Sequence, residues 1–343
     1  MKTFLVTGGA GFIGSNFVHH LYERYPDYRI LVLDLLTYAG SLDNLPECNH
    51  GGDGRLQFWY GDVRNASLVD SLVEQADVVV HFAAETHVTR SIYDNHHFFE
   101  TDVIGTQVVA NAVLKAVKHI DRFIHISTSE VYGTARAAKM DEESPLMPMS
   151  PYASAKAGAD RLVYSYWATY NIPAIIVRPF NQFGPRQHLE KVVPRFITSC
   201  LMDEPLRVHG DGSAERDFTY IEDTCRALDC LVHCDRAKVV GEVINLGYGT
   251  SMSLKAMAPL IVRMMGKPES LITYVGDRPG QVFRHTANID KAERLLGWRP
   301  QVSFEDGLQR TIAWYMDNRT WWEKQLWMRE IPIITKAGNR ELH

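Results

Sequence analysis

Apolar residues follow two different periods along this chain. Short unbroken runs of aliphatic and β-branched residues stand at 3–8 (TFLVTG), 29–34 (RILVLD), 56–62 (LQFWYGD), 77–84 (DVVVHFAA), 122–128 (RFIHIST) and 174–179 (AIIVRP). Runs of this kind, without polar alternation, fit strands buried on both faces of a parallel sheet. Between them, apolar positions recur at helical spacing near 12–25, 66–75, 98–118 and 152–170. Repeated strand–helix alternation predicts an α/β fold built on a doubly wound parallel sheet, the Rossmann fold.

After residue 179 the rhythm loosens, and glycine and proline cluster in FNQFGPRQ, HGDGSAERD and GDRPGQVFRH. Helices are expected over 191–202, 221–234, 253–265, 289–296 and 304–318, with a further strand, EVINLG (242–247), returning to the main sheet. The pattern therefore predicts a dinucleotide-binding domain over 1–180, with returning segments near 215–250. A smaller, interleaved C-terminal substrate-binding lobe is expected over 181–330, and a tail over 331–343.

Composition narrows the function classes. The chain has 343 residues and a formal net charge of -5, which argues against a nucleic-acid partner, since that would call for a basic face. No apolar run approaches the ~18 residues of a membrane span. The start, MKTFLVTGG, does not read as a secretory leader, so a cytoplasmic protein is expected. Cys48, Cys200, Cys225, Cys230 and Cys234 form no C-x-x-C pair, and no histidine pair follows at ligand spacing. Reduced thiols and no metal are the expectation.

The first strand and helix are joined through Gly8, Gly11 and Gly14, with Phe12 and Ile13 between the last two. Glycines there allow a tight turn, close backbone approach to a pyrophosphate and close packing of helix on strand, while the free N–H groups of the helix start face the phosphates. Asp34 ends the second strand, 20 residues past Gly14. A carboxylate at that place can accept both ribose hydroxyls of NAD and would repel the 2′-phosphate of NADP. Asp62 with Val63, and Ala83 with Ala84, fall where such a sheet meets the adenine and the middle of the cofactor.

Tyr152 and Lys156 are an i,i+4 pair on one helix face in SPYASAKAGADRL. An ammonium beside a phenol, with the positive nicotinamide, would favour the phenolate and make Tyr152 a base for a hydroxyl proton. Taken alone, the pair also fits an ordinary surface tyrosine and lysine. The run HISTSEVYG (125–133) leaves a buried strand with Thr128, Ser129 and Glu130 in succession.

The glycine turn together with Y-x-x-x-K resembles the extended short-chain dehydrogenase/reductases that act on nucleotide sugars, over roughly residues 1–318. Within that group, DLLTYAGSLDNLPE, HFAAETHVTRSI, the Glu190–Lys191 step before VVPRF, GDGSAERDFTYIED and DRPGQVFRHTANIDKAERLLGW look most like the dTDP-glucose 4,6-dehydratases. The resemblance implies that Thr128 hydrogen-bonds the sugar 4-hydroxyl and that Glu130 takes the proton from C5. It also implies that Asn181, Glu190, Lys191, Arg216 and Arg278 line the pocket for a nucleoside diphosphate. Arg186 is a further candidate cation for the diphosphate. His87 and Arg90 lie either over the sugar or over the cofactor pyrophosphate, and His87 reads equally well as a structural histidine. Family members commonly dimerise through a four-helix bundle, so a homodimer is expected.

The chemistry is coherent without the family. A ketone at C4 acidifies C5–H, a carboxylate can then form the enolate, and the C6 hydroxyl can leave as water. One position departs from the dTDP-glucose pattern: an aspartate, the acid for the departing hydroxyl, is replaced by Ser129. GDP-mannose 4,6-dehydratases and UDP-glucuronate decarboxylases have serine there. The expected activity is an NAD-dependent nucleotide-sugar 4,6-dehydratase, a lyase, with dTDP-glucose as first-choice substrate. The alternatives are a UDP-sugar dehydratase, a 4-epimerase, a UDP-glucuronate decarboxylase, or a catalytically silent NAD-binding regulator.

Overall fold

In the computed structural model, the described residues are 2–46, 54–276, 282–329, 332–334 and 340–342. Six of the apolar runs become strands: β1 (Thr3–Thr7), β2 (Arg29–Asp34), β3 (Leu56–Tyr60), β4 (Val78–His81), β5 (Arg122–Ile126) and β6 (Ala174–Pro179). With the edge strand Val243–Leu246 they form a seven-stranded sheet in the order β3-β2-β1-β4-β5-β6-edge, parallel throughout. Alternation along each strand sends Phe4, Val6, Ile30 and Val32 into one core and Leu5, Leu31 and Leu33 into another. Both faces are covered, which explains the unbroken apolar runs. The strand order reverses between β1 and β4, and in such sheets the crevice at the C-terminal strand ends is where ligands bind.

Four predicted strands end before their apolar runs do, β1 at Thr7 and β5 at Ile126 among them. β3 stops at Tyr60 and β4 at His81. The residues beyond them, including Gly61, Asp62, Ala83 and Ala84, leave the ladder and form a wall of the crevice. The helix expected over 98–118 is also different. A short helix at His96–Phe98 widens into a π-helical stretch, Phe99–Gly105, before an α-helix over Thr106–Lys115. Thr106 Oγ1 donates to the Asp102 carbonyl at 2.5 Å inside that stretch. A widened turn of this kind re-aims side chains locally and often marks a functional site.

The C-terminal helices Val192–Leu201, Ile221–His233, Leu254–Met264, Asp290–Leu296 and Phe304–Asp317 form close to their expected positions. Pairs of short strands supply the remainder of this part: Asn181–Phe183 with Phe218–Tyr220, Glu215–Arg216 with Met252–Ser253, and Leu206–His209 with Ile272–Val275. One apolar core runs from Phe4 and Val6 of the sheet to Phe196, Met257 and Leu308, so the lobe shares its core with the first domain. Past residue 318, Trp321 Nε1 donates to Asn44 Oδ1 at 2.8 Å and Trp322 Nε1 to the Tyr315 carbonyl at 2.7 Å. Among the described residues, no helix is long and apolar enough to cross a membrane.

Candidate active site

A single cleft opens at the C-terminal ends of the strands. On one side, the turn after β1 brings Gly8, Gly11, Phe12, Ile13 and Gly14 to its floor. Gly8 has φ +68, and a Cβ there would lie 2.5 Å from the Ala83 nitrogen; a Cβ on Gly14 would lie 2.4 Å from the Gly8 carbonyl oxygen. Neither position admits a side chain, because the turn, the helix start and the end of β4 pack backbone against backbone there. Gly11 caps the helix Phe12–Arg24 without a side-chain bond. Asp34 accepts from the backbone N–H groups of Ala10 at 2.9 Å and Leu36 at 2.8 Å, which fixes its carboxylate at the cleft edge. Burial pushes its carboxyl above the usual range, against the pull of those two bonds. Asp62 is clamped by Arg64, whose Nη2 is 2.6 Å from it and whose Nη1 is 2.7 Å from Glu100. Burial opposes ionisation of Asp62, and the Arg64 bonds outweigh it, leaving the pKa lowered.

At the end of β5 the chain turns through Thr128, Ser129 and Glu130, all facing the same cleft as Tyr152 and Lys156. Thr128 accepts from the Glu130 N–H at 3.2 Å, and it shares the cleft with the Tyr152 phenol. Tyr152 is only 8% exposed. Burial raises its pKa; the Thr128 hydroxyl lowers it, and the carboxyls of Asp102 and Glu130 raise it further. The influence expected from Lys156 is not what governs the phenol here. Helical spacing puts both on one face, but the Lys156 ammonium donates to the Ile126 carbonyl at 2.7 Å. Burial lowers its pKa, while Asp102 and Asp160 favour its charge. Beneath the cluster, Asp160 accepts from Ser127 Oγ at 2.7 Å and from Arg178 Nε at 2.8 Å, which braces the strand end.

The far wall carries Asn181, Glu190, Lys191 and Arg216 together with His87. Glu190 is a hub. Its carboxylate lies 3.1 Å from the Tyr38 hydroxyl, 3.4 Å from Arg90, 3.5 Å from Lys191 and 3.8 Å from both His87 and His188. Arg90 also lies over the Tyr38 ring at 4.2 Å. His87 caps the helix Val88–Tyr93, its Nδ1 accepting from the Arg90 N–H at 3.2 Å, and it lines the cleft as well.

Residues 5–311 match the family described as GDP-mannose 4,6 dehydratase. The chain belongs to that family. It is 46% identical over 316 residues to the low-salt glycan biosynthesis protein Agl12 of Haloferax volcanii, covering 91% of this chain and 98% of that protein. It is 42% identical to a dTDP-glucose 4,6-dehydratase of Streptomyces antibioticus, covering 93% and 94% of the two chains. The crystal structure of DesIV, a dTDP-glucose 4,6-dehydratase of Streptomyces venezuelae with NAD bound, superposes with a TM-score of 0.89 at 41% identity, covering 94% of this chain and all of that one.

Two of the predicted positions of this dehydratase-family chain need separate statements. Arg186 does not line the cleft. Its backbone takes φ +67, its guanidinium stacks over the Trp314 ring at 5.9 Å, and Nη1 reaches Asn16 Oδ1 at 3.4 Å. Half-buried, the Arg186 side chain packs between Asn16 and Trp314. Arg278 lies outside the described residues. The structure also adds wall residues that the sequence reading missed: Tyr38, His188, Arg195, Arg207 and His209. For the last two the signal was present. In LRVH (206–209) Leu206 and Val208 are fully buried while Arg207 and His209 alternate to the other side.

Proposed function

We propose that this protein is a cytoplasmic NAD-dependent 4,6-dehydratase of a nucleoside-diphosphate sugar, with dTDP-glucose as its substrate. The observation that carries the reading is the placing of a carboxylate, Glu130, beside Thr128 and Tyr152 in the cleft floored by the glycine turn. The two glycine positions that exclude a Cβ, and the carboxylate of Asp34, fit a dinucleotide with free ribose hydroxyls. NAD bound there supplies the hydride acceptor for C4 and the hydride donor for C6, and its positive ring favours the Tyr152 phenolate.

Tyr152 takes the 4-hydroxyl proton, with Thr128 orienting that hydroxyl. Lys156 holds the ribose side of the cleft, its ammonium steadied by the Ile126 carbonyl. Glu130 then removes the proton from C5, which the new ketone has made acidic. Residues 1–180 hold the cofactor, and 181–330 mainly hold the substrate. Asn181, Lys191 and Arg216 face the diphosphate, with Glu190 positioning Lys191 and Arg90. A homodimer completes the proposal: the exposed Phe99, Ile104 and Tyr164 on the helical face around 99–105 and 151–170 support it.

The deciding test uses dTDP-glucose deuterated at C4. A 4,6-dehydratase releases water and delivers the deuterium to C6 of the same sugar. Deuterium found back on C4 of an intact sugar means a 4-epimerase, and loss of carbon dioxide from UDP-glucuronate means a decarboxylase.

A further inference from the structure

Ser129 stands where the resemblance places a carboxylic acid, and its hydroxyl alone is too weak an acid to protonate a leaving group. Directly behind it is His285, with no exposed surface, contributed from a loop 156 positions away in sequence. His285 Nδ1 lies 3.4 Å from Ser129 Oγ and 3.9 Å from Glu130 Oε1. The other ring nitrogen, Nε2, lies 2.6 Å from the Gly133 carbonyl oxygen. A carbonyl has no proton to give, so Nε2 carries the hydrogen and donates. Nδ1 is then an acceptor in the neutral ring, aimed between Ser129 and Glu130.

The loop is held so that the ring cannot drift. The His285 N–H donates to the Glu215 carbonyl at 3.1 Å, and the Ala287 N–H to Asp217 Oδ2 at 3.0 Å. The Phe180 ring packs edge-on against the imidazole, the planes 65° apart and the centroids 5.9 Å apart. The charged groups that act on it are Glu130 and Arg216. Burial lowers the imidazole pKa, Glu130 raises it, Arg216 lowers it and the Gly133 bond raises it, with a lowered net result. With Nε2 donating to Gly133, the ring presents Nδ1 as an acceptor toward Ser129 and Glu130.

We propose that His285 relays the proton lost from C5 to the hydroxyl leaving C6, acting through Ser129 and Glu130. The proposal rests on the 4,6-dehydratase reading. In the 4-keto sugar the C5–H bond breaks and its proton goes to the Glu130 carboxylate. The electron pair left on C5 forms the C5=C6 bond as the C6–O bond breaks. Glu130 passes the proton to His285 Nδ1, the imidazolium passes it to Ser129 Oγ, and Ser129 gives its own hydroxyl proton to the departing oxygen, which leaves as water. Glu130 ends ionised, His285 neutral and Ser129 protonated, so the elimination is self-contained and needs no redox partner. Ser129 never bears a full charge because it gains one proton as it loses another. Separations of 3.4 and 3.9 Å are of the kind that tighten in a substrate complex.

A purely structural histidine, tying the loop to Gly133, predicts different behaviour, and a Ser129→Asp background separates the two. In the otherwise native enzyme, His285→Gln should leave C4 oxidation intact, slow water loss about 100-fold and let the 4-keto sugar accumulate. Ser129→Asp supplies a carboxylic acid directly, so adding His285→Gln to it should cost less than about 3-fold. Equal losses in the two backgrounds, or no loss in either, overturn the relay. A substrate carrying fluorine in place of the C6 hydroxyl needs less proton assistance, and with it the His285→Gln defect should shrink at least about 10-fold; an unchanged defect overturns the proposal. If His285→Gln does not fold, the native enzyme decides. Elimination in mixed light and heavy water should show more than one proton in flight for the hydroxyl substrate, and a single-proton dependence counts against the relay. Failure of the dehydratase reading looks different, because the native enzyme would then release no water at all from dTDP-glucose.

Discussion

Tyr152 shows how much a single residue owes to its surroundings. In sequence it is half of a Y-x-x-x-K pair. In the structure it is a buried phenol beside Thr128, with the carboxyls of Asp102 and Glu130 holding it protonated. Its proposed role as base rests on its place in the cleft with Thr128 and Glu130, and Lys156 reaches the Ile126 carbonyl instead of the phenol. Tyr152→Phe keeps the ring against Phe98, 6.2 Å away between centroids, and removes the oxygen. Rapid-mixing absorbance should then show loss of reduced nicotinamide formation by about 1000-fold or more, with NAD affinity by calorimetry changed by less than about 3-fold. A normal transient in this variant would remove Tyr152 from its assigned role.

At the scale of elements, the notable feature is how far-apart loops are tied at the cleft wall. Glu190, with its side chain 1% exposed, gathers Tyr38 from the loop after β2, His87 and Arg90 from the helix start after β4, and Lys191 from its own turn. Burial opposes its ionisation, yet the surrounding cations bring it down to about 2. His188 is itself lowered to about 4, first by burial, so at neutral pH it is an uncharged neighbour. A carboxylate depressed from its ordinary value contributes stability that is fully present above about pH 4.5 and disappears as pH falls through about 2. That contribution is on the order of 2–3 kcal/mol. Thermal melts of Glu190→Gln should lie below those of the unaltered protein at pH 7, and the gap should close between pH 4.5 and 2. A gap independent of pH would show that shape, not charge, is what Glu190 provides.

For the whole molecule, one apolar core joins the sheet to the C-terminal helices. The segment after residue 318, on which the apolar pattern is silent, closes that core: Trp322 is 1% exposed and Trp321 reaches back to Asn44 near the cofactor side. Truncating a buried tryptophan removes its contacts and leaves a cavity. Trp322→Ala should cost about 3–5 kcal/mol in urea unfolding followed by circular dichroism. A loss under about 1 kcal/mol would mean that this segment merely rests on the surface.

The sequence by itself determined the sheet, the glycine turn, Asp34 and the Tyr152–Lys156 face, because each rests on local patterns that read directly into backbone geometry. Unbroken apolar runs are buried strands, glycines mark where a Cβ cannot fit, and i,i+4 spacing sets a helix face. It also located the departure at Ser129. The histidine behind Ser129 was not legible, since His285 is a lone histidine in a glycine-rich stretch until the fold carries it there. The widened turn at Phe99–Gly105, the packing of Arg186 on Trp314 and the arrival of Arg207 at the wall were likewise decided by tertiary structure. Periodicity records which side of an element is apolar. It carries no information about which distant residue will stand opposite a given side chain, and the proton chemistry of this site depends on those pairings.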